Sequence, residues 1–203
     1  KERAKRKGFA DAFVSDRQGI EQATSLCVAT HKAKRFKSNK QIFDCCCGVG
    51  GDLLALPEHA VGVDTHALRC WMAEQNTGKT IQQLDVLTMP YDNTMLVHID
   101  PARRTNYKRI FTLSEMSPSI EQVFDIASQV EGGCIKCSPA VNLIDFEGLQ
   151  KPLEIEYIEE RGALMQAAIW FGSLAHNPNK TTATNIDNSL SLTGVWDPEL
   201  PLG

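Results

Sequence analysis

Gln41 to Asp52, reading Q-I-F-D-C-C-C-G-V-G-G-D, narrows the folds open to this chain more than any other stretch. Ile42-Phe43-Asp44-Cys45-Cys46-Cys47 is a short apolar run with one acid and predicts a buried strand. Gly48, Gly50 and Gly51 follow. Asp52-Leu53-Leu54-Ala55-Leu56 then predicts a helix that Pro57 ends. Strand, glycine turn, helix is the opening of a nucleotide-binding β-α unit. Glycines there let backbone approach a ligand where a Cβ would collide, and they accept φ > 0.

Three further runs repeat one arrangement. Ala60-Val61-Gly62-Val63 predicts a strand ending in Asp64. Thr80 to Leu84 predicts another, ending in Asp85 with Val86 after it. Met95-Leu96-Val97-His98-Ile99 predicts a fourth, followed by Asp100-Pro101-Ala102-Arg103-Arg104. With Asp44, four successive strands thus carry an Asp at or near their carboxyl ends. In an open α/β sheet that edge binds ligands, and buried strands otherwise exclude unpaired carboxylates. An acid at the tip of the second strand can take the two hydroxyls of a ribose. An acid after the third can accept from an adenine amino group, with Val86 against the ring.

This order resembles that of class I S-adenosylmethionine-dependent methyltransferases. D-C-C-C-G-V-G-G-D resembles their first motif, Asp64 their ribose acid and Asp85 their adenine-side acid. Asp100-Pro101 resembles the [D/N/S]-P-P-[aromatic] motif of amino-group methylases. Within the class the chain is most similar to the trimethylguanosine synthase group, and to bacterial predicted RNA methylases with D-P-A-R-R and often a THUMP-like tail. The resemblance covers roughly Phe9 to Gly172. It implies a Rossmann-like seven-stranded sheet, mostly parallel, closed by an antiparallel hairpin. It implies S-adenosylmethionine as cofactor, held by Asp44, Cys46, Gly48, Gly50, Asp64, Asp85 and Val86. It makes Asp100 and Pro101 the catalytic pair and implies no metal. The segment before the first strand lies across the cofactor in these enzymes. Thr24 is therefore a candidate for the cofactor carboxylate, or its hydroxyl bonds back to its own helix.

Two departures bear on the substrate. The second proline of the amino-methylase motif is Ala102, and the ring that stacks on the target base is replaced by Arg103. A guanidinium stacks on a base or grips phosphate, so a nucleic-acid target survives. Arg103, Arg104 and Tyr107 are the candidate substrate contacts.

Charge points the same way. Residues 1–40 hold eleven Lys or Arg against four Asp or Glu, and the remainder ten against twenty-one. Four of those later ten are Arg103, Arg104, Lys108 and Arg109. Positive charge near the presumed site suggests RNA, whereas a charge run is also how a solvated face reads. Seven cysteines, three of them adjacent, argue for reduced thiols and a cytoplasmic setting. No apolar run approaches the ~20 residues that span a bilayer, so no membrane partner is expected.

Residues 1–37 are expected to form a basic helical extension, with helices over residues 1–14 and from Arg17 to Phe36. Residues 38–174 should be the methyltransferase domain, and 175–203 a tail or the start of a further domain. Ala67 to Asn76 predicts a helix packed through Cys70 and Trp71. Ser119 to Val130 predicts another, which Gly132-Gly133 breaks. Cys134 to Pro139 should be a fifth strand, with Cys134 and Cys137 on opposite faces. Glu154 to Arg161 and Ala163 to Gly172 predict the hairpin, its second arm the more buried.

Other classes stay open. The G-x-G-x-x-G of dinucleotide enzymes fails at Leu53. A catalytically silent cofactor-binding scaffold, or a methyltransferase for proteins or small molecules, shares most of these features.

Overall fold

A computed structural model describes residues 1–103, 116–141 and 143–195. Among them a nine-stranded sheet has the order β11-β10-β8-β9-β7-β4-β1-β2-β3. The strands are β1 (Ile42–Cys45), β2 (Val61–Asp64), β3 (Ile81–Gln83), β4 (Leu96–Ile99), β7 (Gly132–Cys137), β8 (Leu153–Glu160), β9 (Ala163–Gly172), β10 (Lys180–Asn185) and β11 (Leu190–Val195). A separate short ribbon pairs β5 (Ala102–Arg103) with β6 (Met116–Ser117). β3, β2, β1, β4 and β7 run parallel, and β9 and β8 close them as an antiparallel hairpin.

That much is the expected seven-strand layout, but the sheet does not stop there. β10 adds in parallel to β8 and β11 in antiparallel to β10. Residues 180–195, read from the sequence as tail or further domain, are thus strands of the same sheet. β10 buries Thr182 and Thr184, whose hydroxyls bond Glu154 and Glu156 of β8. Threonine is doing there what an apolar residue does in an ordinary strand, so the segment lacks a hydrophobic signature.

The two faces of the sheet are held differently. On one, Phe43, Cys45, Val97, Ile99, Ile135, Ile169 and Phe171 stand in register. They pack against Val123, Ile126 and Ala127 of helix α5 (Ile120–Gln129). Ser119 caps that helix through a reciprocal box with Gln122. Gly132 and Gly133 do not merely break it; they begin β7.

The opposite face is covered by helix α3 (Leu26–Ala33) and the 3-10 turn Lys34–Phe36. Val28, Ala33 and Phe36 pack on Ile42, Leu96 and Trp170. Charged groups are buried beside them. Arg35 makes two parallel bonds to Glu154, at 2.7 and 2.8 Å, and stacks 4.4 Å over the Trp170 ring. Glu156 accepts from Trp170 Nε1 at 2.8 Å and pairs with His31 at 2.7 Å. β8 is therefore not the wetter arm: Glu154, Glu156 and Glu160 are all buried.

The helical extension is more broken than its periodicity suggests. Helix α1 is only Glu2–Arg6, after which Phe9 and Phe13 stack at 4.0 Å. The second expected helix divides into α2 (Arg17–Gln22), capped by Asp16, and α3, capped by Ser25. Ser25 opens a new helix and Thr24 is drawn elsewhere, so residues 23–25 form an extended strap. Asp52 to Leu56 is a series of turns rather than a helix. Helix α4 (Ala67–Thr77) ends at Gly78 in the left-handed region, with Cys70 buried but Trp71 50% exposed. From α4, Asn76 ties Val14 and the Val49 carbonyl together.

Removing one partner of a buried bidentate pair leaves an uncompensated charge. Arg35→Met should therefore cost about 3–5 kcal/mol by urea denaturation. Burial raises the pKa of Glu154, but its bonds from Arg35 and Asn177 outweigh that and hold it at about 2. A carboxyl depressed in the folded state stabilises above its unfolded pKa, about 4.3. The urea midpoint should thus fall as pH drops from about 4.5 toward 2, and the Arg35 variant should show a shallower fall.

Candidate active site

β1 lies between β2 and β4, so the chain leaves it in one direction and returns on the other side. In a doubly wound sheet that reversal opens a crevice at the carboxyl ends of the two central strands. Here it is a cleft of about 430 Å³. Its walls come from the turn after β1 (Cys46, Gly48), the tip of β2 (Asp64), the end of β4 (Asp100, Pro101), the end of β7 (Lys136) and the strap (Thr24).

Six residues singled out from the sequence thus meet in one place: Thr24, Cys46, Gly48, Asp64, Asp100 and Pro101. Gly48 has φ +56°, and a Cβ there would meet no protein atom within 4 Å. It would stand in open space on the cleft wall. Gly50 (φ +85°) has another task, because a Cβ would press to 3.3 Å on Ala73 of α4. Asp64 Oδ2 accepts from Gly48 N and Oδ1 from His66 N, both at 2.9 Å. The β2 acid and the glycine turn are therefore fixed to one another.

Other candidates sit elsewhere. Asp85 is exposed and caps the turn that follows β3, accepting from Leu87 N at 3.0 Å. Val86 is buried in the apolar core with Val63 and Met89. Neither is among the cleft-lining residues. Asp44 is 1% exposed and shares a 2.7 Å bond with His98 Nδ1. Arg103 lies on β5, while Arg104 and Tyr107 fall outside the described residues.

A charge chain that the sequence reading missed runs under this cleft. Lys32 Nζ lies 2.8 Å from His98 Nε2 and 2.7 Å from Asp52 Oδ1. An ammonium can only donate, so Nε2 accepts and the ring proton sits on Nδ1, facing Asp44. Asp52 Oδ2 accepts from the Thr24 hydroxyl at 2.6 Å. Thr24 therefore bonds neither its own helix nor open cleft. Lys136 Nζ stands 3.8 Å from the same Asp52 oxygen and 2.5 Å from Asp100 Oδ2. Burial pushes Asp44 upward against the pull of His98. Burial pushes Asp52 the same way, but Lys32, His98 and Lys136 prevail and hold it far below the usual carboxylate range. The sequence signal was available: Lys136 and His98 interrupt otherwise apolar strands.

Most of the N-terminal positive charge is already engaged. Arg3 pairs with Glu21, Lys5 with Asp11, Arg6 with Glu2, Arg17 with Glu21 and Lys40 with Glu131. Lys7 donates to the Glu21 and Ala23 carbonyls at the strap.

The parallel strands, the hairpin and the cleft at the β1/β4 reversal define the fold of class I S-adenosylmethionine-dependent methyltransferases. The chain is 30% identical over 178 residues to two uncharacterized S-adenosylmethionine-dependent methyltransferases from two Mycobacterium tuberculosis strains, CDC 1551 / Oshkosh and H37Rv. The match takes in 84% of this chain and 49% of each relative, so the chain spans about half the length of the curated proteins it matches. A solved structure of a candidate methyltransferase from Porphyromonas gingivalis W83 superposes with TM-score 0.69 at 16% identity, over 93% of this chain and 52% of that one. The modification subunit of a candidate type I restriction enzyme from Vibrio vulnificus YJ016 superposes with TM-score 0.53 at 12% identity, over 79% and 46%. No protein-family model matches the chain.

The thiols around the site are quiet. Burial pushes Cys45 and Cys134 up to about 12, and Cys47 and Cys70 upward as well. Cys134 and Cys137 lie in different core clusters. Of the seven cysteines only Cys27 is exposed. An aromatic disulfide reagent should thus titrate one fast thiol in the native protein, and Cys27→Ser should remove that phase. Several fast thiols would contradict the burial.

Proposed function

We propose that the chain is an S-adenosylmethionine-dependent methyltransferase that methylates an amino nitrogen of an RNA base in the cytoplasm, within the trimethylguanosine synthase-like group. The observation that carries this reading is the meeting of Asp100-Pro101 with Gly48 and Asp64 in one cleft at the sheet reversal. The curated relatives are named for the same cofactor. The open space at Gly48 leaves room for a ligand that a side chain would fill, which fits a bound nucleoside.

S-adenosylmethionine supplies, when bound, a methyl group on a sulfonium leaving group. Asp64 would hold the ribose hydroxyls, and Asp85, exposed on the turn after β3 though outside the cleft lining, the adenine side. Asp100, with the carbonyl of Pro101 or Ala102, would accept the hydrogens of the acceptor amino group and so aim its lone pair. Proline at 101 fixes φ and stiffens the turn that carries these acceptors.

Asp64→Ala should weaken cofactor binding by loss of charge-assisted ribose bonds, each about 1.5–3 kcal/mol. Calorimetry with the demethylated cofactor measures this, and unchanged affinity would take Asp64 out of the site. Asp100→Ala should lower kcat severely and change substrate affinity less, because its carboxylate acts in the transition state. Asp100→Asn should keep part of the activity, since an amide oxygen still accepts one hydrogen.

The ion pairing of Arg3, Lys5 and Arg6 within the N-terminal segment favours a second reading, an acceptor in a protein or small molecule. One experiment separates the two. Extracts of cells lacking the protein are incubated with it and with methyl-labelled cofactor, then fractionated. Label in nucleosides of the RNA supports the first reading. Label confined to protein or metabolites supports the second.

A further inference from the structure

β4 and β7 are parallel and in register, with Ile99 beside Ile135. One step further along, Asp100 and Lys136 come side by side at the mouth of the cleft. The Lys136 ammonium sits 2.5 Å from Asp100 Oδ2 and donates to the Gln22 carbonyl at 3.4 Å. Asp52 Oδ2 is 3.8 Å away on its other side. The lysine side chain is only 14% exposed, and that of Asp100 31%. Burial alone would lower the lysine pKa, but Asp100 and Asp52 more than offset it and hold the ammonium above its ordinary value. A cation so held cannot serve as a base near neutral pH.

We infer that Lys136 is the positioning residue for Asp100: it occupies one carboxylate oxygen, Oδ2, and so fixes the other, Oδ1, as the oxygen that receives the acceptor. This rests on the proposed role of Asp100. The lysine is aimed in turn by Asp52, which Thr24 and Lys32 hold in place from the strap and from α3. The N-terminal extension is therefore part of the catalytic apparatus, acting through two buried charges. It supplies the Gln22 carbonyl, Thr24 and Lys32 to one end of the chain of contacts whose other end is Asp100. A carboxylate without its ammonium neighbour is free to turn about χ1 and χ2, and an acceptor bound to it loses its fixed direction. That loss falls on the transition state rather than on binding. An arginine at 136 supplies charge and donors to the same oxygen, although its fork reaches differently.

The test has two arms. In the first, lysine side-chain signals of the intact protein are followed by NMR through a pH titration, with no substrate present. Asp100→Asn should move the Lys136 midpoint down by about one unit or more, since the carboxylate charge in contact with the ammonium is gone. An unmoved midpoint would mean that the contact is absent in solution and would overturn the proposal. In the second arm, the protein and methyl-labelled cofactor are added to an extract of cells lacking it, and label is counted in every fraction. Lys136→Met should reduce kcat at least tenfold, with acceptor KM and calorimetric affinity for the demethylated cofactor within about threefold of wild type. Lys136→Arg should recover a measurable part of that rate. A Lys136→Met protein with full kcat would overturn the assignment. So would an equal loss in the Met and Arg variants, which marks a merely structural role. If Lys136→Met fails to fold, Thr24→Val replaces it: loosening Asp52 should lower kcat severalfold with cofactor affinity kept, and an unchanged kcat would overturn the proposed linkage. No label in any fraction with the wild type would count against the methyltransferase reading itself, while the NMR arm still decides whether Lys136 holds Asp100.

Discussion

The buried carboxylate of Asp52 sets the terms for the rest of this structure. An ion withdrawn from water costs several kcal/mol after relaxation, and the cost is met only by close partners of opposite charge and by hydrogen bonds. Asp52 draws its partners from three separate elements: Thr24 in the strap, Lys32 on α3 and Lys136 on β7. Each must arrive for the others to be tolerable. The helical extension is thereby bound to the sheet by a requirement stricter than apolar packing, which would allow sliding. The same requirement places Lys136 against Asp100, so the site at the end of β4 inherits its geometry from a charge in the turn after β1.

The division of labour between the two faces follows. The α5 face is apolar and self-sufficient. The α3 face mixes Val28, Phe36 and Trp170 with Lys32, Arg35, Glu154 and Glu156. Its ion pairs cross between elements rather than along one. Such pairs add little net stability compared with apolar residues of similar shape, but a wrong register leaves buried charges unmatched. On this face they fix where the strap lies, and the strap walls the cleft.

How far this was legible depended on whether a residue's task was local. Glycines at 48 and 50 and acids at 64 and 100 could be placed because sheet topology assigns strand ends a common edge. Helix α5 was legible as a span, expected over Ser119 to Val130 and found over Ile120–Gln129. Asp44 and Val86 lie away from the cleft lining: Asp44 is buried against His98, and Val86 opens the 3-10 turn after β3 with its side chain in the apolar core. Asp52 looked like a helix start, but its side chain is committed inward to Lys32 and the segment stays in turns. Lys32, His98 and Lys136 were invisible as a group because their partners lie 66 and 36 residues away. A lone charge in an apolar strand announces a buried partner without naming it. β10 escaped because its buried side is threonine, chosen to bond the acids of β8.

The substrate reading turns on where positive charge remains uncommitted. The sequence excess in residues 1–40 is largely engaged, with Lys32 and Arg35 buried among carboxylates and Lys7 bonded to strap carbonyls. Exposed pairs such as Arg6–Glu2 are worth only about 0–1 kcal/mol and yield readily to a phosphate, yet they give no reason for one to be near the cleft. Arg103, three residues after Asp100 and on β5, is the basic residue nearest to Asp100 in the sequence. An extended chain spans roughly 3.3–3.6 Å per residue. A substrate that satisfies both must present an amino group within roughly 10 Å of an anion, measured along the backbone. A nucleotide does so within a single unit, its base amino group at one end and its phosphate at the other. That pairing of groups is the physical support for the proposed nucleotide acceptor, and the single-stranded, unstacked bases of RNA offer their amino edges most openly.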